Sequence, residues 1–258
     1  PCYAALKAVW AQSEQDAQRL RSLGAPVRAV LGNLKFDVQP DAGLLAQGTA
    51  WRAASHRPVV IMASSREGEE AQWIAQWVGR KFHGVAGQCQ WLIVPRHPQR
   101  FDEVHALLEA AGLRVARRSQ WGSNLPPMDV DVWLGDSLGE MPLYYAASHV
   151  GLLGGSFEPL GGQNLIEAAA CACPMVLGPH TFNFAQASQH ACEAGAAFRV
   201  LDMEQGVQLA TALARDTEAL DRARHAALDF AQSHRGAAKA TAQAIAAIVC
   251  LKPARTTK

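Results

Sequence analysis

Short apolar runs alternate along most of this chain with longer stretches in which apolar residues recur every three or four positions. The first pattern predicts buried strands and the second predicts amphipathic helices. Strands are expected at 8–11, 27–31, 59–63, 91–94, 113–116, 130–134, 150–153, 175–177 and 197–200. Between them, Ser13 opens a helix over 14–23 that Gly24 stops. A second helix over 40–55 carries Leu44, Leu45 and Trp51 and breaks at His56-Arg57-Pro58. A third carries Trp73, Ile74, Trp77 and Val78, and others are expected at 101–111 and 143–147. From 203 to 248 the chain is alanine-rich and helical in two or three pieces, with Gly236 as a break and 252–258 as a frayed tail. From residue 59 on, near-continuous apolar strands alternating with helices predict an α/β fold: a Rossmann-like parallel sheet with helices on both faces. Ligands of such sheets bind outside the carboxyl ends of the strands, so the loops after strands should carry the chemistry.

One of those loops stands out. The run His149-Val150-Gly151-Leu152-Leu153 leads into Gly154-Gly155-Ser156-Phe157-Glu158-Pro159-Leu160-Gly161-Gly162-Gln163-Asn164-Leu165-Ile166-Glu167, and alanines follow. Strand, glycine-rich turn and helix start let a backbone approach an anion closely. The same residues also admit a ligand-free reading, because Asn164 is a good N-cap and Glu167 completes a capping box. A carboxylate at Glu167, one turn into the helix, is placed to accept hydrogen bonds from a ribose diol.

Four further loops follow strands. Ser64-Ser65-Arg66-Glu67-Gly68-Glu69-Glu70 reads as a capped helix start whose acids suit the helix dipole; Arg66 does not, and an anionic ligand would explain it. Two prolines fix Pro95-Arg96-His97-Pro98 and hold Arg96 and His97 side by side as donors for a carboxylate or phosphate. Gly135-Asp136-Ser137-Leu138-Gly139-Glu140 and Gly178-Pro179-His180-Thr181-Phe182-Asn183 are weaker signals, with Asn183 as a candidate helix cap and His180 as a lone histidine. Together the five describe a cleft lined with cations and helix starts.

Composition narrows the class. At 258 residues, 49% hydrophobic and 18% charged, the chain is globular in character. A net charge of +1 gives no field that favours nucleic acid. No apolar run is long enough to span a bilayer. Six cysteines, Cys2, Cys89, Cys171, Cys173, Cys192 and Cys250, fit neither a zinc pattern nor a disulfide framework, so a reducing, cytoplasmic setting is expected. No metal or cofactor is expected. The first forty residues lack enough neighbours for a core of their own and read as the end of a domain lying upstream.

The loops in series resemble the 3-deoxy-D-manno-octulosonic acid (Kdo) transferases of lipopolysaccharide synthesis. The motifs are GNLKFD (32–37), SSREGEE (64–70), PRHPQRF (95–101), GDSLGE (135–140), GGSFEPLGGQNLIE (154–167) and GPHTFNF (178–184), in family order over about 10–200. The resemblance implies a GT-B glycosyltransferase, two Rossmann-like domains facing across a cleft, with this chain similar to the C-terminal, donor-binding domain. Residues 1–40 would then be the end of the acceptor-side domain and a linker, 41–250 the donor-binding domain, and 251–258 a flexible tail. It implies CMP-Kdo as donor, a lipid A precursor as acceptor, inversion at the transferred sugar and no metal in the chemical step. It also implies work at the cytoplasmic face of the inner membrane of a Gram-negative bacterium. The family's general base and membrane anchor are N-terminal, so this polypeptide alone should bind donor and transfer poorly.

Carried over by position, Gly154, Gly155 and Ser156 match the phosphate-side turn, and Glu167 the ribose-binding acid. Arg96 and His97 match the PRH motif, and Gly135, Asp136, Gly139 and Glu140 the GD-x-x-GE loop. Arg66, Gly161, Gly162, Asn164 and His180 complete the donor-binding set. Ser65-Arg66 stands where the family usually has Thr-His, and Gly161-Gly162-Gln163 where it has Gly-Gly-His. Two alternatives remain: a GT-B enzyme for another nucleotide-sugar, such as a UDP-sugar transferase or epimerase, and a nucleotide-binding module without catalysis. A dehydrogenase is disfavoured, because no G-x-G-x-x-G follows the first strand of the repeat.

Overall fold

The structure, a computed structural model, describes residues 2–37, 39–78, 88–122 and 124–250. The chain divides into two compact units, Pro1–Gln39 with Ala231–Lys258, and Pro40–Phe230. The segment from Ala231 on, expected to belong to the donor-binding domain, clusters instead with the first residues.

In the small unit, β1 (Val9–Ala11) and β2 (Val27–Val30) pair in parallel across α1 (Glu14–Ser22). Ser13 caps α1 by accepting the Asp16 N–H, and Gly24 ends it at φ +83°. Gly236, at φ +107°, is the expected break before α11 (Ala237–Cys250). The Asp37 carboxylate accepts the Gly236 and Ala238 N–H groups at 2.6 Å each, which lowers its pKa. The predicted frayed tail lies outside the described residues.

The large unit begins with α2 (Ala42–Ala54) and continues as β3 (Val59–Ser65), α3 (Glu69–Val78), β4 (Gln90–Pro95), α4 (Phe101–Ala110), β5 (Val115–Arg117) and α5 (Arg118–Trp121). Then come β6 (Val132–Leu134), α6 (Met141–Ala147), β7 (Val150–Leu153), α7 (Ile166–Ala170), β8 (Met175–Leu177), α8 (Ala185–Glu193) and β9 (Ala197–Arg199). Finally, α9 (Met203–Arg215) and α10 (Thr217–Ser233) divide the alanine-rich stretch at Asp216, and with α11 they make its three pieces. Seven strands form one parallel sheet in the order β5-β6-β4-β3-β7-β8-β9. β3, the longest at seven residues, lies at its centre. Its side chains Val59 to Ala63 are fully buried, as a strand covered on both faces requires.

Among the described α-helices, α5 has no counterpart in the predicted elements. It begins at Arg118, where no apolar period marks a helix, and a partner 17 residues away fixes its start: Asp136 accepts the Ser119 N–H at 2.8 Å. On one side of the sheet, Trp51, Trp121 and Trp133 meet edge to face with centroids 5.6–6.4 Å apart. Gly48 lets α2 lie directly on α6, since a β-carbon there would stand 2.2 Å from the Leu143 carbonyl oxygen.

His149, just before β7, accepts the Val59 N–H on Nδ1 at 3.0 Å. Burial, and then the charges of Arg52 and Arg224, pull its pKa down to about 4. A histidine depressed in this way contributes stability that is present above its unfolded value near 6.5 and is lost as pH falls toward 4. Urea melts should therefore show a loss on the order of 1–2 kcal/mol between those pH values. His149→Asn keeps an acceptor for Val59 and should flatten that slope.

Candidate functional site

Because the seven strands are parallel, the loops after β3, β4, β6, β7 and β8 leave the sheet at one edge. Backbone contacts knit them together. The Gly154 N–H donates to the Ala63 carbonyl at 2.8 Å, Arg96 N–H to Ser65 at 3.0 Å, and Gly135 N–H to Ile93 at 2.8 Å. Ser64 takes φ +57°, in the left-handed region, where β3 shifts register against β4. Its carbonyl turns onto Gly154, where a β-carbon would lie 2.1 Å from that oxygen. Only glycine fits at 154.

The glycine-rich turn is held from beneath by Glu69, a fully buried side chain. One oxygen of its carboxylate accepts the Phe157 N–H at 3.0 Å, and the other accepts the N–H groups of Gly155 and Arg66 at 2.8 Å each. Burial raises its pKa, and these three donors oppose the rise. Beside it, Glu70 forms a buried bidentate pair with Arg100 at 2.8 and 3.1 Å and accepts the Ser65 hydroxyl at 2.7 Å. The acids at the head of α3, read from the sequence as partners of the helix dipole, therefore have another task. Glu69 clamps one loop to the next, and Glu70 anchors α4 through Arg100. The Gly155 amide, which belongs to the turn expected to face a ligand's phosphate, is thus already engaged, as is that of Phe157.

Ser156 is likewise internal. Its hydroxyl donates to the Leu153 carbonyl and accepts the Gly178 N–H at 2.8 Å, and its carbonyl accepts the His180 N–H at 3.0 Å. These bonds lock the loops after β7 and β8 together and place His180 at the rim. Gly161 and Gly162 take φ +89° and +75°, and the Gly162 N–H closes the turn onto the Gly155 carbonyl at 2.7 Å. Asn164 accepts the Ile166 N–H at 3.1 Å, while Leu165 takes the N-cap position of α7. Glu167 does not reach back, so the capping box of the ligand-free reading does not form among the described residues. Asn183 does not cap α8; its amide donates to the Leu160 carbonyl at 3.0 Å.

Glu167 is the exception among the acids. It is half-buried, and no hydrogen bond or ion pair among the described residues uses its carboxylate. Burial alone raises its pKa. A desolvated carboxylate with no protein donor is matched to hydroxyl donors from a ligand. Arg96 and His97 are exposed at the same edge, and the Arg96 Nε–H donates to Gln163 Oε1 at 3.2 Å. Arg66 is half-buried, its Nε–H on Glu67 at 3.1 Å.

The loop after β6 stands apart. Asp136 is buried and accepts Arg117 Nε–H and the Ser119 hydroxyl at 2.7 Å each. Burial would raise its pKa, but the Ser119 hydrogen bonds and Arg117 outweigh that and lower it. Glu140 pairs with Arg118 at 2.7 Å. Among the described residues this loop makes no hydrogen bond to the glycine-rich turn. The residues the sequence reading missed are thus supports, namely Arg100, Arg117, Arg118 and Ser119, and Glu69, Glu70 and Gln163 take supporting roles that it did not give them.

The crystal structure of the C-terminal CMP-Kdo binding domain of WaaA from Acinetobacter baumannii matches with a TM-score of 0.66 and 31% identity, over 74% of this chain and 100% of that one. The chain belongs to the Kdo transferase family. The family described as 3-deoxy-D-manno-octulosonic-acid transferase (kdotransferase) also matches residues 1–38. The 3-deoxy-D-manno-octulosonic acid transferase of Bordetella pertussis is 46% identical over 243 residues, 94% of this chain and 56% of that protein. The Haemophilus influenzae enzyme is 32% identical over 88% of this chain and 53% of its own. The chain thus spans about half the length of the curated relatives it matches. A glycosyltransferase from Rickettsia africae, with a TM-score of 0.58 and 14% identity, shares the fold alone. The family and the GT-B donor-domain fold expected from the motif series are both found.

Proposed function

We propose that this chain is the donor-binding part of a Kdo transferase, and that it takes CMP-Kdo at the carboxyl edge of the large unit's sheet. The observation that carries the reading is Glu167, an unpartnered, desolvated carboxylate beside a glycine-rich turn, in a chain similar to a CMP-Kdo binding domain. Glu167 accepts hydrogen bonds from the ribose hydroxyls. Arg96, oriented by Gln163, and His97 face the phosphate. CMP leaves as a phosphate monoester, and a fixed guanidinium there stabilises the charge that develops. Glu69 and Asp136 do not touch the donor; they set the loops that do. The acceptor is a lipid A precursor, presented at the cytoplasmic face of the inner membrane by the part of the protein that carries the base. On this reading the chain alone binds donor and transfers poorly.

Calorimetric titration with CMP, with UMP and UDP as controls, tests the reading. Saturable binding of CMP at least tenfold tighter than of UMP is expected. Equal or tighter binding of the uridine nucleotides would move the chain to another nucleotide-sugar, and no binding of any of them would remove the donor assignment.

A further inference from the structure

A second cleft lies at the opposite edge of the large unit's sheet. It measures about 500 Å³ and is lined by Pro58 and His149, which precede β3 and β7, and by Arg215, Thr217, Asp221 and Arg224 from α9 and α10. Seven residues of β3 separate this edge from the loops of the donor site, a span of about 20 Å. The two clefts are therefore distinct.

The balance of charge in this cleft is unusual. Arg224 is half-buried and has no ion pair among the described residues. Arg215 is exposed and held by a hydrogen bond to Gln88 Oε1. Arg52, in the last turn of α2, is half-buried, and burial and then the Arg224 charge pull its pKa below the usual value. Two guanidinium groups, of Arg215 and Arg224, thus line the cleft with one carboxylate, Asp221, and Arg52 lies near enough to feel the Arg224 charge. Nearby acids are otherwise occupied: Glu218 pairs with Arg222, and Asp216 caps α10 by accepting the Ala219 N–H at 3.0 Å. His149 has spent its Nδ1 on Val59. Half-buried guanidinium groups brought near one another without a counter-ion repel, unless an anion joins them.

We propose that this cleft is an anion site for a phosphate group, bound by the guanidinium groups of Arg224 and Arg215 with the Thr217 hydroxyl. Asp221 lines the same cleft, and its carboxylate is matched to a protonated phosphate oxygen, which donates to it. The phosphate is either free in solution or the headgroup of a lipid. The site does not depend on the donor reading, because it shares no residue with that site.

The test titrates the chain with inorganic phosphate at low ionic strength, in the wild type and in Arg224→Gln and Arg96→Gln. Saturable binding read at the His149 ring, which lines this cleft, is expected, weakened at least tenfold by Arg224→Gln; Arg96→Gln reports on the donor site and leaves the signal at His149 in place. The His149 ring resonances should shift with phosphate in the wild type and in Arg96→Gln only. Arg224→Gln removes a charge with no counter-ion, so its Tm should not fall; if it fails to fold, Arg215→Gln takes its place. Sedimentation with phosphatidylglycerol vesicles, against phosphatidylcholine, supplies the second arm. Vesicle binding that is lost in Arg224→Gln, with no binding of free phosphate, assigns the site to a headgroup. No binding in either arm overturns the proposal. Binding that Arg96→Gln abolishes and Arg224→Gln leaves intact also overturns it, because the phosphate is then in the donor site.

Discussion

Replacing Glu69 with alanine should cost about 3–5 kcal/mol of stability and abolish nucleotide binding, although Glu69 touches no ligand. Its carboxylate takes three backbone N–H groups, those of Arg66, Gly155 and Phe157, in a fully buried setting. Hydrogen bonds to a charged group contribute about 1.5–3 kcal/mol each, and a buried donor left without a partner costs about 1–3 kcal/mol. The sum is not additive, so the expected loss lies below the total of three such bonds. Against it runs the cost of keeping a carboxylate out of water, which the raised pKa reports. Glu69→Gln separates these effects. Its amide oxygen still accepts from two donors, but its NH2 group must face the third, so an intermediate loss is expected. Chemical denaturation of the three proteins checks the order wild type, Gln, Ala. Equal stability of the alanine variant would mean that the turn holds its shape without the clamp.

This clamp shows where sequence reasoning reached and where it stopped. The sheet was legible because seven apolar runs, each separated by a polar loop, admit few arrangements other than a covered parallel sheet. The candidate loops were legible for the same reason: topology puts every loop after a strand on one edge. What each polar residue does there was less legible, because its partner is far along the chain. Glu69 and Gly155 are 86 residues apart, and Arg100 and Glu70 are 30 apart. Read locally, an acid at a helix start is explained by the dipole, and nothing marks it as a clamp. Asn164 and Asn183 mislead in a similar way. Both are residues that favour helix caps, but Asn164 sits one residue before the N-cap and accepts the Ile166 N–H in a local turn, while a contact 23 residues away turns the Asn183 amide to the Leu160 carbonyl. Asp136 sits in a motif that resembles a binding loop, yet its oxygens are filled by Arg117 and Ser119. The distinction between Glu167 and these acids needed coordinates, since only the structure shows which carboxylate has been left without a donor.

Glu167→Gln should move binding and stability in opposite directions. The wild-type carboxylate is desolvated with no protein partner, so its folded-state pKa lies above the ordinary value of 4.5. A carboxylate raised in this way contributes stability that is fully present below the unfolded value and is lost as pH rises through the folded one. Glutamine removes that loss. At neutral pH the variant should therefore be more stable by up to about 1 kcal/mol, or about 2–4 °C in Tm, and near pH 4 the two proteins should melt together. Binding should go the other way. An amide presents one acceptor oxygen where the carboxylate presents two, and it lacks the charge that strengthens both bonds, so CMP affinity should fall about 10–100-fold. A purely structural acid would not behave like this. Removing Glu69 should lower both quantities, because that carboxylate is satisfied by the protein itself. A loss of CMP affinity in Glu167→Gln, with stability gained only at neutral pH, would identify Glu167 as a group whose partner is the ligand. Unchanged affinity would place the ribose elsewhere on the edge and remove the residue on which the donor assignment rests.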